Sequence, residues 1–225
     1  MTEEIHAALA EHKLVPDVHI ADTGFVNSKL FVDSQEDYGI ELIGPTRSDN
    51  HWQAKEGTGF AASEFALDWE QQHAVCPEGK VSVSWTPAID KFKNEVIKIK
   101  FGTKECQACP SCAKCTRSTP PRRTITVRPQ AQHEALQAGR AREQTEVYRT
   151  EYKQRAGVEG TIAQGVRTCE VRRSRYIGEE RTRLQHLMTG AAMNVVRMLN
   201  WLADVPKATT RPSPFVRMYR SAASA

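Results

Sequence analysis

The chain has 225 residues, with 31 Lys and Arg against 27 Asp and Glu, and 40% of its residues are hydrophobic. That length supports one large or two small domains with a real core, and the composition is ordinary for a globular chain rather than a disordered or fibrous one. No run of about 18 apolar residues occurs, which excludes a helical membrane span, and the acidic, mixed start MTEEIHAALAEHKLV is not a signal peptide, so the expected compartment is the cytoplasm with no membrane partner.

The net charge of +4 hides an asymmetry. Residues 1–116 carry 11 Lys and Arg against 18 Asp and Glu, residues 117–183 carry 15 against 8, and residues 184–225 carry 5 against 1. The basic residues of the middle stretch are almost all arginine, which makes bidentate phosphate contacts. A polyanion, most simply nucleic acid, is the expected partner. A basic face that balances the acidic half of the same protein gives the same count.

Residues 2–12 read as an amphipathic helix with Ile5, Ala8 and Leu9 on its apolar face. Val18, Ile20 and Ala21 make a short apolar strand ending on Asp22 and Gly24. A turn and a short helix are expected from Phe25 to Phe31, and a second strand at YGIELI (38–43). Residues 46–64 are polar and loop-like. From Phe65 the segments FALDW, AVCPEGKVSVSW, VIKIKF and RTITV alternate as β-strands. Residues 130–155 predict one long charged helix, continued over 158–168 with Val158, Ile162 and Val166 on an apolar stripe. Gly157, Gly160 and Gly165 weaken that continuation by up to about 1 kcal/mol each, and could admit a neighbouring strand or DNA. The last helix is expected over 179–202, with Leu184, Leu187, Met188, Ala191, Ala192, Val195, Met198, Leu199 and Leu202 packing a core. A disordered tail is expected over 204–225.

Three groups of residues carry chemistry. Tyr152, Arg155 and Glu159 stand at i, i+3 and i+7, which puts them on one face of a regular α-helix, close before the basic cluster RRSRY with Arg172, Arg173 and Arg175. The same spacing suits a solvated face with ordinary ion pairing. Asp22 ends a short apolar strand, where α/β sheets place ligands, and a turn residue before Thr-Gly would read alike. Two such carboxylates can share Mg²⁺, which takes oxygen ligands, although such a site usually needs a third. Five of the six cysteines lie between Cys76 and Cys115. The run Cys106, Cys109, Cys112, Cys115, with Cys76 upstream, has the spacing of a metal site, zinc first. An iron–sulfur cluster is the rival, and against it the run lacks a C-x3-C-P end. Cys169 is expected in a core.

IADTGF, then Y-x2-R-x3-E at Tyr152, Arg155 and Glu159, then RRSRY, then a helix containing Asn194 together resemble the DDE transposases of bacterial insertion sequences, in the branch with a cysteine-bearing β insertion. The resemblance covers residues 15 to 203. It implies an α/β fold: part of a ribonuclease H-like core (1–64), a Cys-rich β insertion (65–128) and C-terminal core helices including Glu159 (129–203). It implies strand cleavage and transfer with two Mg²⁺ held by Asp, Asp and Glu. Asp22 then resembles the second Asp and Glu159 the Glu. Tyr152 and Arg155 resemble the signature residues that position DNA. Similar insertions carry C-x2-C-x5-C, which fits Cys106, Cys109 and Cys115 with Cys76 on a structural zinc and leaves Cys112 spare.

Three positions depart from the pattern. Val166 stands where the signature has Lys, and Arg167 beside it is turned by about 100°. Ile162 stands where Phe is common. The family's first Asp lies on an earlier strand, and Asp17 is no substitute for it. The chain therefore reads as the C-terminal part of a transposase, truncated or one half of a split frame, inactive alone. Its expected partners are DNA (element ends and target) and a full-length transposase, as a homo- or hetero-oligomer. The alternative function is a non-catalytic zinc module that binds DNA or regulates the intact enzyme; an iron–sulfur protein is a further one.

Overall fold

A computed structural model describes residues 1–57 and 60–206. The chain divides into two compact units, Met1–Arg155 and Ala156–Ala225.

The first unit opens with helix α1 (Thr2–Glu11), strand β1 (Val18–Ile20), a 3₁₀ turn (Thr23–Phe25), helix α2 (Ser28–Tyr38) and strand β2 (Glu41–Ile43). Strands β1 and β2 pair in parallel, with His19 opposite Leu42, so α2 is the crossover that a parallel pair requires. Asn27 caps α2 by accepting from the Leu30 N–H, and Gly39 ends it in the left-handed conformation at φ 68°, where a Cβ is unfavourable. Gly44 follows β2 for a different reason: a Cβ there would stand 2.6 Å from Val26 Cγ1 and 2.7 Å from the Ala21 carbonyl oxygen. Ala21, Val26 and Leu42 form the small core beneath this sheet.

On α1 the buried residues are Thr2 and His6, while Ile5 and Ala8 are exposed, which corrects the expected apolar face. Specific polar contacts decide the rotation. Thr2 Oγ1 donates to the Phe25 carbonyl at 2.9 Å, and His6 Nε2 lies 2.7 Å from His19 Nδ1, with the Tyr38 ring edge-on to His6.

After a short helix α3 (Trp52–Lys55) the β module begins. Strands β3 (Ala66–Asp68) and β4 (His73–Val75) form an antiparallel hairpin. Strands β5 (Ser84–Ile89) and β6 (Glu95–Lys100) form another, and two short helices, α4 (Thr103–Gln107) and α5 (Cys112–Cys115), lead to strand β7 (Thr124–Val127) on the far side of β6. The alternation read in the sequence holds: Ile99, Ile125 and Val127 point inward onto Phe65, Ala74 and Phe101, while Lys98, Thr124 and Thr126 are exposed.

Helix α6 (Gln130–Glu143) and helix α7 (Glu146–Tyr152) complete the unit, followed by a 3₁₀ turn at Lys153–Arg155. The expected single helix over 130–155 therefore breaks at Gln144–Thr145. Thr145 is a stronger cap than a helix interior residue, and its Oγ1 accepts from the Tyr148 N–H at 3.2 Å. Gly139 on α6 admits Thr46, whose Cγ2 would lie 3.2 Å from a Cβ there.

The second unit contains helix α8 (Ala156–Thr168) and helix α9 (Glu179–Leu202). Gly165 is where they meet: a Cβ would lie 3.1 Å from Val171 and 3.2 Å from the Met193 sulfur. At Gly165 the close protein neighbours are thus Val171 and the α9 residue Met193, not a strand, while Gly157 and Gly160 face open space. Helix α9 has the bounds the periodicity predicts, yet of its residues only Met193 is buried; Leu184, Leu187, Met188, Ala191, Ala192, Val195, Met198, Leu199 and Leu202 are all exposed. Val158 and Ile162 on α8 are more than half exposed as well. An apolar stripe declares that a face seeks a partner, and α8 with Val171 covers only one spot of it. Most of the expected tail, from residue 207 on, lies outside the described residues.

Candidate functional site

Asp22 sits where the sequence puts it, at the carboxyl end of a parallel strand. Its Oδ1 accepts from the Thr23 N–H at 2.8 Å, capping the 3₁₀ turn. Its Oδ2 accepts from Arg155 Nη2 at 3.1 Å, an ion pair across 133 positions. The turn reading of Asp22 is therefore realised on one carboxylate oxygen, while the other is held in an ion pair with Arg155.

Tyr152 stands beside this pair. Burial raises its phenol pKa, with Arg155 opposing and the Asp22 charge adding to the rise. Its ring stacks on Tyr148, centroids 5.6 Å apart and planes within 4°. Tyr148 is buried, and its hydroxyl has no hydrogen-bond partner. Burial pushes that phenol up to about 12, with Glu143 next in effect. Sequence reasoning missed Tyr148; the i, i+4 aromatic pair with Tyr152 is the signal that marks it. Behind the tyrosines, Arg142 bridges Glu41 and Glu151, the latter at 2.9 Å, and the Glu143 carboxylate accepts from the Thr46 N–H at 2.7 Å. These contacts fix α6 and α7 against the end of β2.

Asp22, Tyr152 and Arg155 are thus brought together within the first unit. Glu159 lies in the first turn of α8 in the second unit, as do Arg167 and the basic cluster. A 3₁₀ turn separates Tyr152 from α8, so the constant angular step that put Tyr152, Arg155 and Glu159 on one face is interrupted. Arg172, Arg173 and Arg175 are exposed. Their loop is held on α9 by Gln185, which accepts from the Arg175 N–H and donates to the Arg173 carbonyl, both at 2.9 Å. Glu170 stands 4.0 Å from Arg173 and 3.8 Å from Arg175. Asn194 is exposed on α9, and Cys169 is half-buried rather than in a core.

The second constellation is the cysteine cavity. Cys76, Cys106, Cys109, Cys112 and Cys115 line one small cavity of about 30 Å³ together with Phe60, Phe101 and Arg123. The turn after β4 wraps Cys76: Gly79 N–H donates to the Cys76 carbonyl at 2.8 Å, and Lys80 N–H points at its sulfur at 3.3 Å. All five are free thiols. Burial pushes the Cys115 thiol up to about 11; Arg123 opposes this, and Cys106, Cys76 and Cys109 add to it. Besides Lys80, Arg123 brings positive charge to this cavity. It donates to the carbonyls of Cys115 at 3.2 Å and Phe60 at 3.1 Å and lies over the Phe65 ring, and its Nε is buried without a partner.

The donors present differ in how they fit the expected metals. Five thiols, a residue type that zinc takes, line one cavity, with an N–H aimed at one sulfur. Asp22, the Mg²⁺ candidate, accepts one hydrogen bond on each oxygen, from Thr23 and from Arg155. Among the described residues no group of three or more His, Cys, Asp or Glu is arranged to hold a metal ion.

A family model described as a transposase DDE domain matches residues 75–199. The match covers more than half of the chain, and the chain belongs to that family. It spans the cysteine cavity, Tyr152, Arg155, Glu159 and the basic cluster, and begins after Asp22. No curated protein and no solved structure gives a significant match. No helix among the described residues is long and apolar enough to cross a membrane.

Proposed function

We propose that this chain is a DNA-binding portion of a DDE transposase with a ribonuclease H-like core, in which β1, α2 and β2 are core elements and residues 65–128 an insertion. Asp22 and Glu159 are its acidic site residues. Tyr152 and Arg155 position DNA near them, and Arg167, Arg172, Arg173 and Arg175 contact the backbone. The observation that carries this reading is the meeting of Asp22, Arg155 and Tyr152 at the carboxyl end of a parallel strand. A strand end and a distant helical segment converge there on one position.

On this reading the chain alone binds DNA and does not cut it. The described carboxylates form no metal-holding group, and Arg155 brings Asp22 the positive charge that an ion would otherwise supply. The cysteine cavity favours a structural zinc, held by Cys106, Cys109 and Cys115 with Cys76 and leaving Cys112 over. It also supports a second reading, a non-catalytic zinc module that regulates an intact transposase. The test is the purified chain with labelled duplex DNA and Mg²⁺. Binding without cleavage is expected, and cleaved product overturns the inactivity. Adding the chain to an active full-length transposase separates the two readings, because only a regulator lowers the intact enzyme's turnover at sub-stoichiometric DNA occupancy.

A further inference from the structure

Counted by folded module rather than by halves, the charge of the chain divides sharply. Residues 1–64 carry 4 Lys and Arg against 12 Asp and Glu, whereas residues 65–128, the β module, carry 11 against 6. The module's positive charge is therefore intrinsic to it and not a counterweight within its own surface. Part of that charge is arranged in register. In the three-stranded sheet, Ser84 pairs with Lys100 and Lys100 with Thr124; two residues along, Thr86 pairs with Lys98 and Lys98 with Thr126. Because successive side chains alternate faces, these two rows share the face opposite to the Trp85, Ile99 and Ile125 row that packs inward.

Each row sets a lysine on the central strand between hydroxyls on both neighbouring strands. Lys98, Thr86, Thr124 and Thr126 are exposed, and Lys100 and Ser84 are partly so. Among the described residues neither lysine has an ion-pair partner, although Asp90, Glu95 and Glu105 belong to the same module. The two lysines stand about 7 Å apart along the strand and each hydroxyl about 5 Å from its lysine across it. That is the scale on which successive phosphates follow one another along a nucleic-acid strand. A lysine supplies the charge and a serine or threonine hydroxyl the directional donor, the pair of groups that makes most phosphate contacts.

We propose that this outer sheet face is a docking surface for the phosphate backbone of duplex DNA, separate from the basic loop of the second unit. Charge complementarity carries the choice of occupant: a basic sheet face whose two lysines have no ion-pair partner among the described residues. Its six groups lie on an open sheet face and are assigned to phosphate oxygens, so the surface is expected to add affinity more than sequence preference. The proposal rests on the DNA-binding reading above and is tested apart from it.

The experiment measures duplex DNA binding by the full chain over a range of salt concentrations, for the wild type and two variants. Lys98→Gln with Lys100→Gln removes two phosphate contacts and is expected to make the slope of log K against log salt shallower by about 2. Thr126→Lys adds one contact and is expected to steepen it by about 1. Circular dichroism confirms that each variant is folded. If the wild type binds DNA and both variants keep its slope, the sheet face is not the surface and the proposal fails. If the wild type shows no salt-dependent binding, the DNA-binding reading fails and this proposal with it. A slope that moves only when Arg172, Arg173 and Arg175 are replaced assigns the backbone contacts to that loop instead and overturns the sheet face.

Discussion

Asp22 and Arg155 are 133 positions apart and meet through a single ion pair at 3.1 Å. With Asp22 half exposed, such a pair stabilises by about 0–1 kcal/mol, so its value is positional. Arg155→Ala is expected to change the unfolding free energy by less than about 1 kcal/mol while weakening DNA binding; a large loss of stability in denaturant titration, with binding intact, marks Arg155 as structural. Arg123 behaves oppositely. Its burial lowers its pKa, with the Cys115 and Asp49 charges opposing, and two carbonyls depend on it. Arg123→Ala is expected to cost about 2–4 kcal/mol of stability through unsatisfied carbonyls and an emptied cavity, read from the same titration. His6 supplies a pH dependence. Burial, then His19, lowers the pKa of buried His6, and burial lowers that of His19. A histidine depressed in the folded state contributes stability above its unfolded pKa of about 6.5, and loses it as pH falls through the folded value. Melting temperature is therefore expected to fall between pH 7.5 and 5, and the fall to shrink in His6→Gln; equal falls in both proteins remove the histidine pair as its cause.

At the scale of elements, the sequence located most segments and misjudged their surroundings. The period-2 alternation of VIKIKF and RTITV reports an inward and an outward face; β7 realises both, while β6 buries Val96 as well as Ile99, one on each face. Helix α9 begins and ends where its 3.6-residue period says, because caps and periodicity are local signals. Its burial is not local: an apolar stripe on a helix carries no record of what covers it, so the expected core helix lies open except at Met193. The break before α7 was legible in Thr145 as a cap residue, but no Gly or Pro marks it. The convergence of Asp22 with Arg155 was suggested only by the family pattern, since no periodicity links a strand end to a helix so far along the chain. The glycines of α8 test this picture. Gly160 meets open space while Gly165 faces Val171 and Met193. Gly160→Ala is expected to stabilise by up to about 1 kcal/mol, and Gly165→Leu to destabilise by about 1–3 kcal/mol through overpacking. The same sign for both, in thermal melts of the full chain, contradicts the α8–α9 contact.

At the scale of the molecule, the chain combines an acidic first segment, a basic β module and an arginine-bearing loop on a separate unit, and the proposed reading has it meet DNA on the two basic surfaces. The cysteine cavity lies within the family-matched segment, consistent with a module held together by its own chemistry rather than by a large core. Zinc in that cavity would act through stability, so purified chain is expected to carry about one zinc and to melt at lower temperature after a chelator. Absence of zinc with unchanged melting removes the metal from the account. The central claim is that this transposase-family chain engages DNA through these basic surfaces and does not cut it alone. A single gel assay tests it most directly, with the full chain, labelled duplex DNA and Mg²⁺ across a salt series. The account predicts a retarded complex that dissolves steeply with added salt and leaves the DNA intact. Cleaved strands, or a complex insensitive to salt, would contradict it.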